Sequence, residues 1–174
     1  KITQKIKKFA VIVDKNTASL INNKHRKVFD YIIETEDSTV GPFGLETKAF
    51  RLTPFKETIK VESDILFTIS IDHWWNILRL RDLVLSTGCR DYKHKKATPR
   101  KYRKVFDSNS LPDVYNGLMY FRYTRTAANF FQKAEQIFNN WDTVQKTLIN
   151  CRDDYPTTDV VYGLTANIIG QELC

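Results

Sequence analysis

Two carboxylates one residue apart, Glu62 and Asp64 in T-I-K-V-E-S-D, are the residues of this chain whose types and spacing most directly suggest chemistry. A β-type run carries them into a turn, and side-chain alternation along a strand would put both on one side, with small Ser63 facing away. Such a pair suits Mn2+ or Mg2+, hard cations that prefer oxygen and take one or two protein carboxylates, leaving positions for phosphate and water. An isolated E-x-D is more often a pair of solvated charges at a strand end, so its surroundings decide.

Three other places carry candidate chemistry. In the strand pattern Asp113 to Arg122, Gly117 removes side-chain bulk, which marks either a bulge or the close approach of a ligand or another backbone. Beside it, the Asn116 amide can both donate to and accept from sugar hydroxyls. Asp159 falls in the first turn of a predicted last helix capped by Thr157 or Thr158, where the helix dipole favours a negative charge whatever the protein does. Trp74 and Trp75 offer aromatic faces for sugar stacking, and His73 beside Asp72 is a possible ligand or base; packing is the plainer account of all three.

The succession P-F-K-E-T-I-K-V-E-S-D-I-L-F-T-I-S-I-D-H-W-W (residues 54–75), L-P-D-V-Y-N-G-L-M-Y-F-R (111–122) and Y-P-T-T-D-V-V-Y (155–162) resembles GT-A-type, glycogenin-like nucleotide-sugar glycosyltransferases, closest to bacteriophage-encoded members. The resemblance runs from about Phe9 to Cys174. It implies that Glu62 and Asp64 stand for the family's D-x-D pair, with Glu at the first position, and bind Mn2+ or Mg2+ with the nucleotide. Asn116-Gly117 stands for the N-[SAG]-G strand and Thr158-Asp159 partly for the later D-Q helix start. Asp159 and Asn116 are thus expected at the reacting groups, and Lys48, Glu62, Asp64 and Gly117 at the donor. The implied partners are a nucleoside diphosphate sugar and an acceptor hydroxyl, a modified phage DNA base being one acceptor.

Charge is concentrated. Residues 90–104 hold eight Lys or Arg against one Asp, a local +7 that equals the net charge of the whole chain. Interleaved with Tyr92, His94 and Tyr102, this stretch suits a nucleic-acid groove, with Lys95, Lys96, Arg100 and Lys101 as contacts to phosphate. It suits the diphosphate of a sugar nucleotide as well, and a solvated basic loop is the bland alternative. A non-catalytic nucleic-acid-binding module is therefore the rival reading.

The elements that must position these residues alternate in the α/β manner. Strands are predicted over Phe9 to Val13 and Tyr31 to Thr35, with a helix over Ala18 to Val28 between them and Asp14 at the first turn. A short helix over Leu45 to Leu52 is expected to carry Lys48 and Arg51 towards the acidic strand. Ser70 is expected to cap a helix holding Trp74, Ile77, Leu78 and Arg81, and a short strand follows over Leu83 to Ser86. Ala127, Phe130, Phe131, Ala134, Ile137 and Phe138 recur at helical spacing, and Asp142 to Gln145 looks like a capping box.

With 174 residues, 42% hydrophobic and 27% charged, the chain is expected to be one α/β domain, a GT-A-like (Rossmann-like) mixed sheet flanked by helices and part of a longer protein. No apolar run approaches the roughly 20 residues of a membrane span. Cys89, Cys151 and Cys174, widely spaced and odd in number, point to free thiols in a reducing cytoplasm, the host's if the chain is phage-encoded. P-loop, G-x-G-x-x-G and Ser-His-Asp patterns do not occur.

Overall fold

The Val-Ile runs on either side of the first helical stretch form two parallel strands, β1 (Ala10–Asp14) and β2 (Tyr31–Thr35), in register from Ala10 opposite Tyr31 to Asp14 opposite Thr35. The computed structural model describes residues 8–36, 43–90, 93–95 and 103–173. Parallel neighbours need a crossover, which two short helices supply, α1 (Lys15–Leu20) and α2 (Asn23–Arg26). The single helix expected over Ala18 to Val28 is broken because Asn22 is a better cap than interior residue: its side chain accepts from the Lys24 and His25 N–H groups at 2.9 and 3.2 Å. Asp14 caps α1 by accepting the Thr17 N–H at 2.7 Å, the turn-marking role of a polar residue at a strand end.

The helix expected over Leu45 to Leu52 is two single turns, α3 (Gly44–Thr47) and α4 (Ala49–Leu52), joined at buried Lys48. A tertiary partner competes here, since the Glu46 carbonyl, which a continuous helix would direct to Phe50, accepts the Tyr162 hydroxyl at 2.9 Å. Arg51 pairs with Glu135 at 3.5 Å.

The second sheet is antiparallel, in the order β3 (Glu57–Val61), β5 (Val114–Arg122), β4 (Leu83–Thr87). Among the described residues, parallel and antiparallel pairing thus fall in two small sheets, where a single mixed sheet was expected. Long β5 lies in the middle, and its partner changes abruptly on one side: Leu85 of β4 faces Met119 whereas Ser86 faces Tyr115. Asn116, Gly117 and Leu118 therefore form a bulge, with the Ser86 hydroxyl donating to the Leu118 carbonyl at 2.7 Å.

After β3 the helix α5 begins late, at Trp74 (Trp74–Leu78), because the Ser70 hydroxyl closes a preceding turn with Asp72 rather than capping the helix. Ile77, expected on the apolar face of α5, is exposed. Then come α6 (Lys104–Ser108) and α7 (Arg125–Asn139), whose Ala127, Phe130, Phe131, Ala134, Ile137 and Phe138 are all buried, as their spacing predicts. The capping box expected at Asp142 does not form, since burial of Trp141 starts α8 (Trp141–Val144) one residue earlier. The last helix, α9 (Thr158–Ile169), packs between α7 and β5, with Phe130 and Tyr162 ring centroids 5.3 Å apart. No helix among the described residues is long and apolar enough to cross a membrane.

Candidate functional site

The bulge of β5 forms one wall of a cavity of about 420 Å³. Glu62 and Ile65, from the turn after β3, form a second wall, the start of α9 (Thr157, Thr158, Asp159) a third, and Ser86 and Cys89 lie at the end of β4. Four of the residues singled out in the sequence, Glu62, Asn116, Gly117 and Asp159, thus meet at one place although they come from three distant stretches of chain.

Asp159 is not the solvated first-turn charge that helix-dipole reasoning describes. Its Oδ1 accepts the Asn116 backbone N–H at 2.8 Å and its Oδ2 accepts from Arg103 Nη1 at 2.8 Å. Burial pushes its carboxyl up, with the Asn116 N–H and the Arg103 guanidinium pulling it part of the way back. Arg103 is the main surprise of the basic segment. Only 1% exposed, it donates to Asp113 through Nε (2.9 Å) and Nη2, to the Val114 carbonyl (2.8 Å), and lies against the Phe106 and Tyr115 rings at 3.9 and 4.0 Å from their centroids. Arg is suited to this, because its planar fork serves several acceptors at once and its face stacks on aromatics. Neither expected cap residue caps α9: Thr157 makes no side-chain cap bond, and the Thr158 hydroxyl turns inward.

That hydroxyl belongs to a second polar cluster behind the cavity. Glu46 Oε2 accepts from Thr158 Oγ1 at 2.7 Å and from Asn116 Nδ2, with Lys60 Nζ 3.5 Å away. Burial pushes the Glu46 carboxyl up, and the Lys60 ammonium and the Thr158 hydroxyl oppose that shift. Glu46, Lys60 and Arg103 were not singled out in the sequence. Lys60 shares a strand face with Thr58 just before the acidic turn, a usable signal; Glu46 and Arg103 look like surface charges until the chain is folded.

The acidic pair is divided between two environments. Strand β3 ends at Val61, so the expected alternation does not reach Glu62 and Asp64. Glu62 is half-buried on the cavity wall, its N–H bonded to the Gly117 carbonyl at 3.0 Å, while Asp64 is exposed in the turn and does not line the cavity. Among the described residues no group of three or more His, Cys, Asp or Glu side chains is placed to hold a metal ion. Buried Lys48 is not part of the cavity wall, and neither are His73, Trp74 and Trp75. Trp75 packs on Tyr120 with ring centroids 6.1 Å apart, and Trp74 on Phe67 at 6.3 Å.

Lys95 is exposed; Lys96, Arg100 and Lys101 lie outside the described residues. Cys89 and Cys151 are free thiols. Burial pushes the Cys89 thiol up, which suits a wall residue rather than a thiolate nucleophile.

Gly117 is not enforced by crowding. A Cβ there would lie 3.5 Å from Glu62 Oε2 and 3.6 Å from Ile65 Cδ1, ordinary contacts. Gly117→Ala should therefore melt no earlier than the parent, alanine losing less entropy in a strand than glycine. Gly117→Val should fold as well yet impair ligand binding, since its branches extend towards the Glu62 side of the cavity. Calorimetric melting alongside binding checks this; a melting loss in Gly117→Ala would assign the glycine to packing.

No protein-family model, curated protein or solved structure matches the chain. Fold and site together define the class: an α/β protein whose described residues form two small sheets flanked by helices, with a cavity lined by apolar and polar residues at a bulge of the central strand of the antiparallel sheet.

Proposed function

We propose that the chain is the GT-A-like part of a metal-dependent glycosyltransferase that moves a sugar from a nucleoside diphosphate donor to an acceptor hydroxyl in the cytoplasm, the host's if the chain is phage-encoded. The observation that carries this reading is the convergence of Glu62, Asn116, Gly117 and Asp159 on one cavity. Two carboxylates and a side-chain amide are suited to a polyhydroxylated ligand, whose hydroxyls need acceptors.

In this reading Asp159 receives the acceptor hydroxyl. Asn116 N–H and Arg103 hold one oxygen each of its carboxylate, fixing the group while leaving further lone pairs on both. A carboxyl raised by burial is a better proton acceptor than an ordinary aspartate, provided it is ionised. Proton removal strengthens the acceptor oxygen as the bond from the sugar to the diphosphate breaks. Glu62 and Asp64 would hold Mn2+ or Mg2+; their all-oxygen donor set fits such an ion, with the rest of its shell coming from diphosphate and water. When bound, the metal offsets charge on the departing diphosphate. The phosphate contact expected of Lys48 has no part in this reading, because that side chain is buried and off the cavity wall. A DNA acceptor would lie along residues 90–104, where Lys95 is exposed and Arg103 is engaged internally.

Titration calorimetry of the full-length protein with uridine and guanosine diphosphates tests the reading. Binding is expected with Mn2+, absent without it, and lost in both Glu62→Gln and Asp64→Asn at nearly unchanged melting temperature, because partly exposed carboxylates at a turn contribute little to stability. Failure of both nucleotides to bind with Mn2+ would overturn it, and salt-sensitive DNA binding without nucleotide affinity would return the non-catalytic module.

A further inference from the structure

Asn116 is 2% exposed, and its hydrogen-bonding groups can be followed one by one. Its backbone N–H goes to Asp159 Oδ1 at 2.8 Å, and its backbone carbonyl accepts from Lys60 Nζ at 3.0 Å. Both hydrogens of its side-chain amide point away from solvent, one to Glu46 Oε2 and one to Thr158 Oγ1 at 2.9 Å. The side-chain carbonyl Oδ1 remains, buried and without a hydrogen-bond partner among the described residues, on a residue of the cavity wall. Such an orphan acceptor calls for an explanation, since nearly all buried polar groups are paired.

The direction of the amide is set from behind. An ionised carboxylate only accepts, and Glu46 Oε2 takes both the Asn116 N–H and the Thr158 O–H. The Thr158 proton is thereby committed to Glu46, so its oxygen can meet Asn116 only as an acceptor. Turning the amide over would set Asn116 Oδ1 against the Glu46 carboxylate and the Thr158 lone pairs, with no donor facing it. Lys60, 3.5 Å from Glu46, favours the ionised carboxylate on which this depends.

We propose that Glu46 is a positioning residue that fixes the polarity of Asn116, so that the cavity offers a bare carbonyl and selects a ligand bearing a hydrogen-bond donor, a sugar hydroxyl, at that point. The choice of hydroxyl rests on the sugar-transfer reading; the polarity rests on the Glu46 network alone. A ligand lacking that donor leaves the carbonyl unpaired and buried. Thr157, another residue of the same wall, also has a buried hydroxyl with no hydrogen-bond partner among the described residues.

Affinities of the full-length protein for uridine diphosphate glucose and its four monodeoxy analogues, measured with Mn2+, test the selection. One analogue should bind about tenfold or more weakly than the parent sugar nucleotide, the size of effect that an unmade buried hydrogen bond has. Glu46→Gln should bring that ratio close to one, because a glutamine amide can donate to Asn116 Oδ1 and let the amide turn its N–H groups to the cavity. Equal binding of all analogues by the parent protein, or an unchanged ratio in Glu46→Gln, overturns the proposal. If no uridine nucleotide binds, side-chain amide NMR decides the polarity, and the sugar-transfer reading fails by itself only when guanosine nucleotides do not bind either. Slow deuterium exchange of both Asn116 Nδ2 protons, accelerated in Glu46→Gln, supports it; exchange at the solvent rate in the parent overturns it.

Discussion

Arg103→Met should lower unfolding free energy by about 3 to 5 kcal/mol, the cost of breaking a buried ion pair by removing one partner. Three losses coincide: Asp113 and Asp159 lose their shared cation, the Val114 carbonyl loses a donor, and the Phe106 and Tyr115 rings lose a planar group. The side chains of Asp113 and Asp159 keep 35% and 26% of their surface exposed, so water relieves part of the charge and the lower end of the range is expected. Even that is a large share of the roughly 5 to 15 kcal/mol that stabilises an ordinary domain. The deficit should also depend on pH. Without Arg103 the Asp159 carboxyl, already pushed up by burial, rises further in the folded state. A raised folded carboxyl contributes stability that is present in acid and lost as pH increases through its folded pKa, so the variant should fall furthest behind near neutrality and recover towards the ordinary Asp value of about 3.9. Arg103→Lys keeps the charge but cannot reach both carboxylates and the carbonyl together, and should rescue only part of the loss. Urea unfolding across that pH range checks these outcomes; a loss below about 1 kcal/mol, flat with pH, would mean that the network contributes little.

What could be read before folding was whatever depends on local periodicity. The apolar face of α7 recurs every three or four residues and is buried in full, and β2 was legible to the residue as an apolar run between turns. Errors gathered where a tertiary partner outbid the local preference. The turn at Lys48 breaks a helix-like pattern while the Glu46 carbonyl serves Tyr162, 116 residues away. The site was legible in its cavity-facing members because glycine within a strand pattern announces a bulge, and the bulge is what opens the wall. Its supporting members were not: Glu46 lies 70 residues from Asn116, and Arg103 lies 56 from Asp159, distances over which composition carries no pairing information. Arg103 looked like one more charge in a solvated run, yet it is among the most buried large side chains. The strand alternation used to pair Glu62 with Asp64 also failed for a local reason, since the chain turns after Val61 and the Ile65 N–H closes on the Glu62 carbonyl at 3.3 Å.

Asp159→Asn should reduce turnover by on the order of a hundredfold, the contribution of a positioned proton acceptor. Stability alone cannot distinguish this from a structural role. As a first-turn charge Asp159 would contribute roughly 0.3 to 1 kcal/mol, but its bond to Arg103 raises the expected cost of the variant to about 1.5 to 3 kcal/mol. Asp113→Asn supplies the comparison, because Asp113 is the other carboxylate on Arg103 and does not line the cavity. It should destabilise the fold to a similar degree, yet leave turnover at saturating donor within a few-fold of normal, as about 1 kcal/mol or less of barrier would allow. The pH profile separates them again. A base must be ionised, so the parent and Asp113→Asn should gain kcat/KM as pH rises through the elevated Asp159 pKa, whereas the residual activity of Asp159→Asn should lack that acid limb. If both variants lose turnover together, in proportion to their loss of stability, Asp159 serves only to hold α9 and β5 to the Arg103 guanidinium, and the proton acceptor has to be sought elsewhere on the cavity wall, with Glu62 the carboxylate that remains there.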